Sequence, residues 1–233
     1  MSAVGILLAA GRGRRFDPSG VQDKLLQTLP GGAGDSAGVS VSAGIGASAG
    51  AGPGAGAGVA NACTGAGDLV VVASARILLS VLPRVVAVVR PGDSRVGAAL
   101  AALGCDVTVC PDADLGMAAS LVHAIRYTRD AAVWMVALGD MPHVQAGTVR
   151  ALLAAIAAGA DIAAPTYLGR RGNPVAFSRT HLHLLLALQG DQGARSILKT
   201  HPVAELAVAD LVVVPDIDTR ADLVSFPGKV MHV

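Results

Sequence analysis

Aromatic residues are scarce in this chain: they make up 3% of its 233 residues, whereas 52% of the residues are hydrophobic. The core must therefore be built from Ala, Val and Leu, and the length is enough for one large α/β domain. Excess charge is also missing, since the formal net charge is +1. With so little net charge, neither nucleic acid nor an anionic membrane surface is an expected partner.

Long apolar runs are missing as well, and the N-terminal residues do not predict a secretory leader. The segment 69–89 is interrupted by Arg76 and Pro83, and the segment 151–165 is short and contains Asp161. Neither reaches the roughly 20 uninterrupted apolar residues of a membrane-spanning helix. The N-terminal apolar run has no basic residue before it and no cleavage site after it, so we expect no signal peptide and a cytoplasmic location.

Cysteine is rare, and its three copies do not suggest a disulfide framework. Cys105 and Cys110 flank a strand-like segment, and their spacing places them on opposite faces of that strand. We expect both to be small core residues rather than metal ligands.

Residues 4–24 carry the strongest local signal in the chain. The apolar run 4–9 predicts a strand buried on both faces. Ala10, Gly11 and Gly13 follow with little or no side chain, so a polyanion can approach the backbone N–H groups closely. Positive side chains are concentrated in the same segment: Arg12, Arg14, Arg15 and Lys24. The pattern predicts a triphosphate-binding loop after the first strand; a basic surface turn is the alternative.

Two common phosphate-binding motifs are excluded for this loop. A dinucleotide fingerprint requires a third glycine where Phe16 stands. A P-loop requires Gly-Lys-Ser/Thr, but Val230 follows the only Gly-Lys pair, which lies near the C-terminus. The glycine–arginine loop therefore belongs to neither class.

Strand-like apolar runs alternate with helical patterns along most of the chain. Strands are expected at 4–9, 85–89, 107–110, 133–138, 162–165, 175–177 and 211–214. Helices are expected near 69–82, 98–103, 118–128, 146–157 and 181–188. This alternation predicts a single-domain, three-layer α/β/α fold with a mostly parallel sheet. Ligands of such sheets bind at the carboxyl ends of strands, so the glycine–arginine loop and Gly139-Asp140 should share one edge.

Residues 31–67 interrupt this alternation. Of these 37 residues, 24 are Gly or Ala, and one, Asp35, is charged. Ordering so many glycines costs backbone entropy and gains little apolar burial. We predict a flexible Gly/Ala-rich insertion at 31–67 within one domain spanning 1–233. The alternative, a packed Gly/Ala helical layer, is disfavoured because glycine is a poor helix former.

Two acidic segments follow predicted strands and are suited to a hard cation. Asp140 closes the strand at 133–138, while Asp216 and Asp218 follow the strand at 211–214. Mg²⁺ takes one or two protein carboxylates and completes its shell with substrate phosphate and water. As alternatives, Asp140 could start a turn before Pro142, and Asp218 could cap a short helix.

Three further turns are suited to an anionic ligand, although each could be an ordinary turn. Segment 114–120 starts a helix, whose N-terminus favours anions. Segments 169–174 and 190–195 carry arginines beside glycines. It is the combination of five such segments in one chain that indicates a nucleotide and a metal.

Taken together, these motifs resemble the molybdenum-cofactor nucleotidylyltransferases, within the larger group of nucleotide-diphosphosugar-type transferases. The matching segments are 8–16 with Lys24, 116–121, 139–142, 172–175, 190–195 and 216–219. The resemblance implies a Rossmann-like fold and a cytoplasmic, Mg²⁺-dependent enzyme. Such an enzyme joins a nucleoside monophosphate unit to the phosphate of molybdopterin and releases pyrophosphate. Ala10-Gly11 resembles the cytidylyl branch, since the guanylyl branch usually has two glycines there.

The resemblance also implies roles for individual residues. The residues expected to contact the nucleotide are Ala9, Ala10, Gly11, Gly13, Arg15, Lys24, Gly116 and Ser120. Asn173, Asp191 and Arg195 are expected to contact the pterin, and Asp140 and Asp218 are expected to bind the metal. Arg15, Lys24 and Asp140 are the expected catalytic residues. The expected partners are CTP or another NTP, molybdopterin and a molybdenum hydroxylase client, and the expected state is a monomer.

Two departures from the family pattern keep alternatives open. The family commonly has His where Asn173 stands, and the insertion at 31–67 falls where related chains have a short link. One alternative is guanylyl transfer, or transfer to a sugar phosphate. The other is a non-catalytic carrier that binds the pterin nucleotide and passes it to a client enzyme.

Overall fold

The computed structural model describes residues 2–19, 21–30, 67–209, 213–214 and 216–225. The strands are β1 (Ala3–Leu8), β2 (Val85–Val89), β3 (Asp106–Val109), β4 (Val133–Leu138), β5 (Ile162–Tyr167), β6 (Arg170–Arg171), β7 (Val175–Ser178) and β8 (Ala204–Ala207). The helices are α1 (Val70–Leu79), α2 (Ser94–Ala102), α3 (Met117–Tyr127), α4 (Ala146–Ala157), α5 (Leu182–Leu186), α6 (Arg195–Thr200) and α7 (Arg220–Ser225).

The eight strands of the described residues form one mixed sheet in the order β3-β2-β1-β4-β7-β5-β6, with β8 pairing β5. The β1–β2, β1–β4 and β2–β3 pairs are parallel, as is the β5–β8 pair. Strand β7 runs antiparallel to β4 and β5, because the turn before it is too short for a parallel crossover. The predicted α/β fold with a mostly parallel sheet is confirmed.

Alternation along the central strands divides the core into two faces. In β1, Ile6 packs with α3, α5 and α6, whereas Leu7 packs with α1, α2 and α4. In β4, Trp134 packs on the same face as Ile6, and Met135 packs on the same face as Leu7. Helices thus cover both faces of the sheet, and the predicted three layers are present. Val and Ala are the most frequent hydrophobic residues buried in the described part of the chain.

The two described cysteines also lie on opposite faces. Cys105 belongs to the same core cluster as Leu7, and Cys110 to the same cluster as Ile6. Burial raises the pKa of the Cys105 thiol to about 11. The prediction that both are buried core residues is confirmed; Cys63 lies outside the described residues.

The strand expected at 211–214 is wrong at Val213 and Val214, which are not in a strand. The carbonyl of Val213 instead accepts a hydrogen bond from the backbone N–H of Asn173 (2.8 Å), outside any strand ladder. The late strand is β8, parallel to β5.

Residues 211–212 lie outside the described part of the chain, as does the predicted insertion at 31–67 apart from Gly67. Within the described ranges, no helix is long and apolar enough to cross a membrane.

Candidate active site

A cleft of about 490 Å³ opens where β1 and β4 end. The two strands are in register at Leu8 and Leu138, and the N–H of Gly139 donates to the Leu8 carbonyl (2.9 Å). The loop after β1 and the turn after β4 therefore meet at one edge of the sheet, as expected. The predicted site residues that line the cleft are Ala10, Gly11, Gly13, Arg15, Lys24, Gly116, Ser120, Asp140, Asp191 and Asp218.

Gly11 and Gly13 have different tasks in the loop after β1. Gly13 has a φ of 57°, and its carbonyl accepts hydrogen bonds from the N–H groups of Phe16 (2.9 Å) and Asp17 (3.1 Å). A Cβ on Gly13 would lie 3.4 Å from Cγ of Lys24, so the turn packs against this lysine. A Cβ on Gly11 would have no neighbour within 4 Å. The loop is thus fixed at Gly13 and open toward the cleft at Gly11.

Lys24 connects the loop to both predicted metal-binding carboxylates. Its Nζ lies 2.5 Å from Oδ2 of Asp140 and 3.7 Å from Oδ1 of Asp218. Nζ also donates a 3.1 Å hydrogen bond to the carbonyl of Ile217. Only 7% of Lys24 is exposed. Burial raises the pKa of Asp140, and the charge of Lys24 opposes this rise.

Backbone contacts fix the turn that carries Asp140. The hydroxyl of Ser74 in α1 donates to the carbonyl of Gly139 (3.0 Å), and the N–H of Ile217 donates to the carbonyl of Asp140 (3.0 Å). Ile217 also packs with Phe16 and with Val70 of α1. Three segments distant in sequence are therefore tied together behind the carboxylates.

The loop arginines make separate ion pairs at the mouth of the cleft. Arg15 Nη1 lies 2.5 Å from Oδ2 of Asp218, and Arg15 is largely exposed. Arg12 forms a paired contact with Asp114 from the segment before α3, and this hydrogen bonding lowers the pKa of Asp114. Arg14 also lines the cleft. Cationic groups thus surround the opening, and two of them are held by carboxylates.

The carboxylate pair fits a divalent metal. Oδ1 of Asp140 is buried and has no hydrogen-bond partner among the described residues, so one oxygen remains available for a cation. In the described ranges, no group of three His, Cys, Asp or Glu side chains is placed to hold a metal. Two carboxylates with the remaining positions left to substrate oxygens and water are the ligand set that Mg²⁺ prefers.

A close contact between two glycines supports another part of the cleft wall. Gly116 has a φ of 117°, and a Cβ there would lie 2.5 Å from the carbonyl oxygen of Gly190. The same carbonyl accepts a hydrogen bond from Ala118 N–H (3.1 Å). This contact brings Asp191 to the cleft beside the buried side chain of Ser120.

Asn173 and Arg195 line a smaller cavity of about 70 Å³ next to the cleft. The cleft and this cavity share Leu8, Met117 and Leu138 as lining residues. The structure therefore separates the three expected pterin-side residues, with Asp191 in the cleft and the other two beside it. Ala9 does not line the cleft, because its side chain is buried in the core with 1% exposure.

Sequence reasoning missed two contributors to the site. Ser74 supports the Asp140 turn, and its signal was a single hydroxyl in an otherwise apolar stretch of helix. The carbonyl of Ile217 holds Lys24, but a backbone acceptor has no residue-type signature.

Comparison with known proteins gives matches at the level of family and fold. The model of the MobA-like NTP transferase domain matches residues 48–206, so the loop at 10–24 and Asp218 lie outside the match. A search of curated proteins found no match.

Several solved structures are similar over almost the whole chain. Rv0371c from Mycobacterium tuberculosis H37Rv is 28% identical, with a TM-score of 0.69 and 95% of each chain covered. A structure of Rv0371c in complex with manganese is 26% identical, with a TM-score of 0.65 and 95% of each chain covered. Molybdopterin-guanine dinucleotide biosynthesis protein A from Archaeoglobus fulgidus is 18% identical and shares the fold, with a TM-score of 0.59 and 94% of each chain covered.

Proposed function

Since the chain belongs to the MobA-like NTP transferase domain family, we propose that it transfers CMP from CTP to the phosphate of molybdopterin and releases pyrophosphate. The coarser statement, that it is a nucleotidyltransferase, follows from the family. The observation that carries the proposal is the convergence of Lys24 with Asp140 and Asp218 beside the glycine–arginine loop. As part of the same proposal, the enzyme works in the cytoplasm and supplies a molybdenum hydroxylase client.

The cleft is suited to a nucleoside triphosphate. The backbone at Gly11 is open to close approach, and Arg14, Arg15 and Lys24 bring positive charge to the same space. A triphosphate held there exchanges its water contacts for preorganised donors and cations. Gly116 and Ser120 line the same cleft, and we place the nucleoside beside them.

Enzymes of this family typically use a divalent metal, and the related Rv0371c has been crystallised with manganese. We propose Mg²⁺ for this chain, held by Asp140 and Asp218. When bound, the ion would neutralise charge on the α-phosphate and on the developing transition state. The available Oδ1 of Asp140 supports this assignment.

The reaction needs little proton chemistry from the protein. A phosphate oxygen of the acceptor forms a bond to the α-phosphorus of CTP, while the bond to the β-phosphate oxygen breaks and its electron pair leaves with pyrophosphate. Two anions must meet, so Arg15 and Lys24 contribute by holding the departing pyrophosphate and offsetting its charge. Positioning of the acceptor phosphate by the cleft supplies further acceleration.

The small cavity supports an acceptor site next to the nucleotide. Asn173 and Arg195 offer an amide and a guanidinium there, and Phe177 and Leu121 supply apolar walls. Such a mixed lining suits a ring with polar edges. We therefore assign Asn173 and Arg195 to the pterin side and Asp191 to the junction between the two substrates.

One experiment tests the proposal directly. The protein is incubated with Mg²⁺, molybdopterin and each of the four NTPs, and products are identified by mass together with released pyrophosphate. We expect a CMP adduct of molybdopterin with CTP and none with Asp140→Asn, whose circular dichroism should match the parent. A GMP adduct, or turnover only with sugar phosphates, would replace the substrate assignment, and pterin binding without pyrophosphate release would make the protein a carrier.

A further inference from the structure

We propose that Lys24 acts as a built-in counter-cation that keeps a divalent metal from binding alone, so that the metal enters the site together with a triphosphate. In this role Lys24 is a positioning residue for Asp140 and Asp218, in addition to its contact with phosphate. The inference rests on the proposed function for the identity of the two ligands, a divalent metal and a nucleoside triphosphate. The new element is that binding of one ligand strengthens binding of the other.

The ammonium group lies next to the position where a metal would have to bind. Nζ lies between the two carboxylates, 2.5 Å from Asp140 and 3.7 Å from Asp218. Its hydrogen bond to the carbonyl of Ile217 (3.1 Å) fixes it there. A cation bound at Oδ1 of Asp140 would have this ammonium on the other oxygen of the same carboxylate. The two cations would repel each other in a site largely closed to water.

The two predicted metal-binding carboxylates are already balanced by two cations. Lys24 and Arg15 oppose Asp140 and Asp218, and Asp216 adds a weaker field at Asp140. A divalent cation added alone would leave excess positive charge. A triphosphate supplies negative charge beyond that of the metal and also offers Lys24 new partners. Metal and nucleotide should therefore strengthen each other's binding, and this coupling is reciprocal.

The arrangement predicts opposite effects of removing the lysine charge on the two ligands. In Lys24→Met, Mn²⁺ added alone should bind about tenfold more tightly, within the roughly 5–150-fold range of coupled binding. A non-hydrolysable CTP analogue should bind more weakly to the same variant, since a phosphate contact is lost. A purely structural ion pair would instead weaken both ligands or lower the melting temperature without selective effect.

The experiment titrates Mn²⁺ into the nucleotide-free protein and follows free Mn²⁺ by electron paramagnetic resonance. Wild type, Lys24→Met and Lys24→Gln are compared, the last keeping a hydrogen-bond donor without the charge. Lys199→Met is the matched control, because it removes the same charge from an exposed position on α6 and should leave Mn²⁺ affinity unchanged. Lys24→Met combined with Asp140→Asn should lose the tight binding, which assigns the signal to this site.

Unchanged or weaker Mn²⁺ binding in the folded Lys24 variants would overturn the inference. If neither variant folds, the wild type decides, because a Mn²⁺ affinity that does not rise when a non-hydrolysable CTP analogue is present would also overturn the inference. Failure of the proposed function looks different, because it appears as absence of CMP transfer in the wild-type enzyme and does not enter the metal titration.

Discussion

At the scale of single residues, the site depends on charges that are held close together with little access to water. Lys24 and Asp140 form an ion pair in which both side chains are mostly buried. Removing one partner of such a pair leaves an uncompensated buried charge, which is more costly than losing a surface ion pair. Arg15 differs, because its exposed side chain pairs with Asp218 from the solvent side. We therefore expect Lys24 to affect both stability and turnover, and Arg15 mainly turnover.

Gly11→Ala tests the openness of the loop. Because a Cβ at Gly11 has no protein neighbour within 4 Å, the added methyl should leave the melting temperature unchanged while it intrudes on the space assigned to phosphate. We expect affinity for a non-hydrolysable CTP analogue, measured by calorimetry, to fall about tenfold, which is about 1.4 kcal/mol. Gly147→Ala in α4, also without a neighbour within 4 Å, is the control and should bind normally. Normal nucleotide affinity in Gly11→Ala would show that the phosphate does not bind at this part of the loop.

At the scale of elements, the active-site walls are fixed by contacts between loops and helix ends. The start of α3 is docked on the 190–194 segment through Gly116 and Gly190, and Met117 packs on Gly193. Helix α1 supports the β4 turn through Ser74. The contacts of Gly116 and Met117 connect the part of the cleft that we assign to the nucleotide with the 190–194 segment. A substitution that displaces one of these segments should therefore also displace the other.

Gly116→Ala should destabilise the protein through a backbone clash. Gly159 provides a matched comparison, since it also has a left-handed φ (106°) but has open space around its Cβ position. Both substitutions carry strain, but only the first places a methyl against the carbonyl of Gly190. The free energy of unfolding in urea should fall further for Gly116→Ala, by about 1–3 kcal/mol. Equal losses in the two variants would show that the 190–194 segment is not docked on α3.

At the scale of the whole molecule, the sheet brings together segments that are far apart in the sequence. Lys24 and Asp140 are separated by 116 positions, and Lys24 and Ile217 by 193. The two ends of the predicted insertion also meet: Leu29 N–H donates to the carbonyl of Asp68 (2.9 Å), and Thr28 bridges to Leu69. The described residues on either side of 31–66 are therefore adjacent in space. This adjacency supports our proposal that 31–67 is an insertion within a single domain.

Replacing residues 31–66 with a short Gly-Ser link should therefore preserve the fold. The entropy of closing a long loop grows slowly with length, so the shorter link should leave the free energy of unfolding unchanged or raise it by up to about 2 kcal/mol. Urea denaturation and pyrophosphate release measure the two effects. A variant that is folded but inactive would assign the segment a part in the reaction, and one that does not fold would end the insertion proposal.

Much of the fold could be predicted from local patterns. The strand bounds at 85–89 and 133–138 and the helix at 146–157 follow from hydrophobic periodicity, which depends on neighbouring residues only. The opposite faces of Cys105 and Cys110 follow from the same alternation. The expected strand at Val213 and Val214 was wrong because a β-like composition describes the side chains and does not fix the partners of the backbone.

By itself the sequence determined the alternation of strands and helices, the glycine–arginine loop and the family resemblance, because these depend on residue type and short spacing. Only the tertiary structure decided that Lys24 bridges Asp140 and Asp218, that Ile217 contributes a carbonyl, and that Ala9 is buried in the core. The physical reason is that contacts across more than a hundred positions are set by strand order and by loop docking. The type of a residue does not reveal which groups its backbone carbonyl or its buried methyl group will contact.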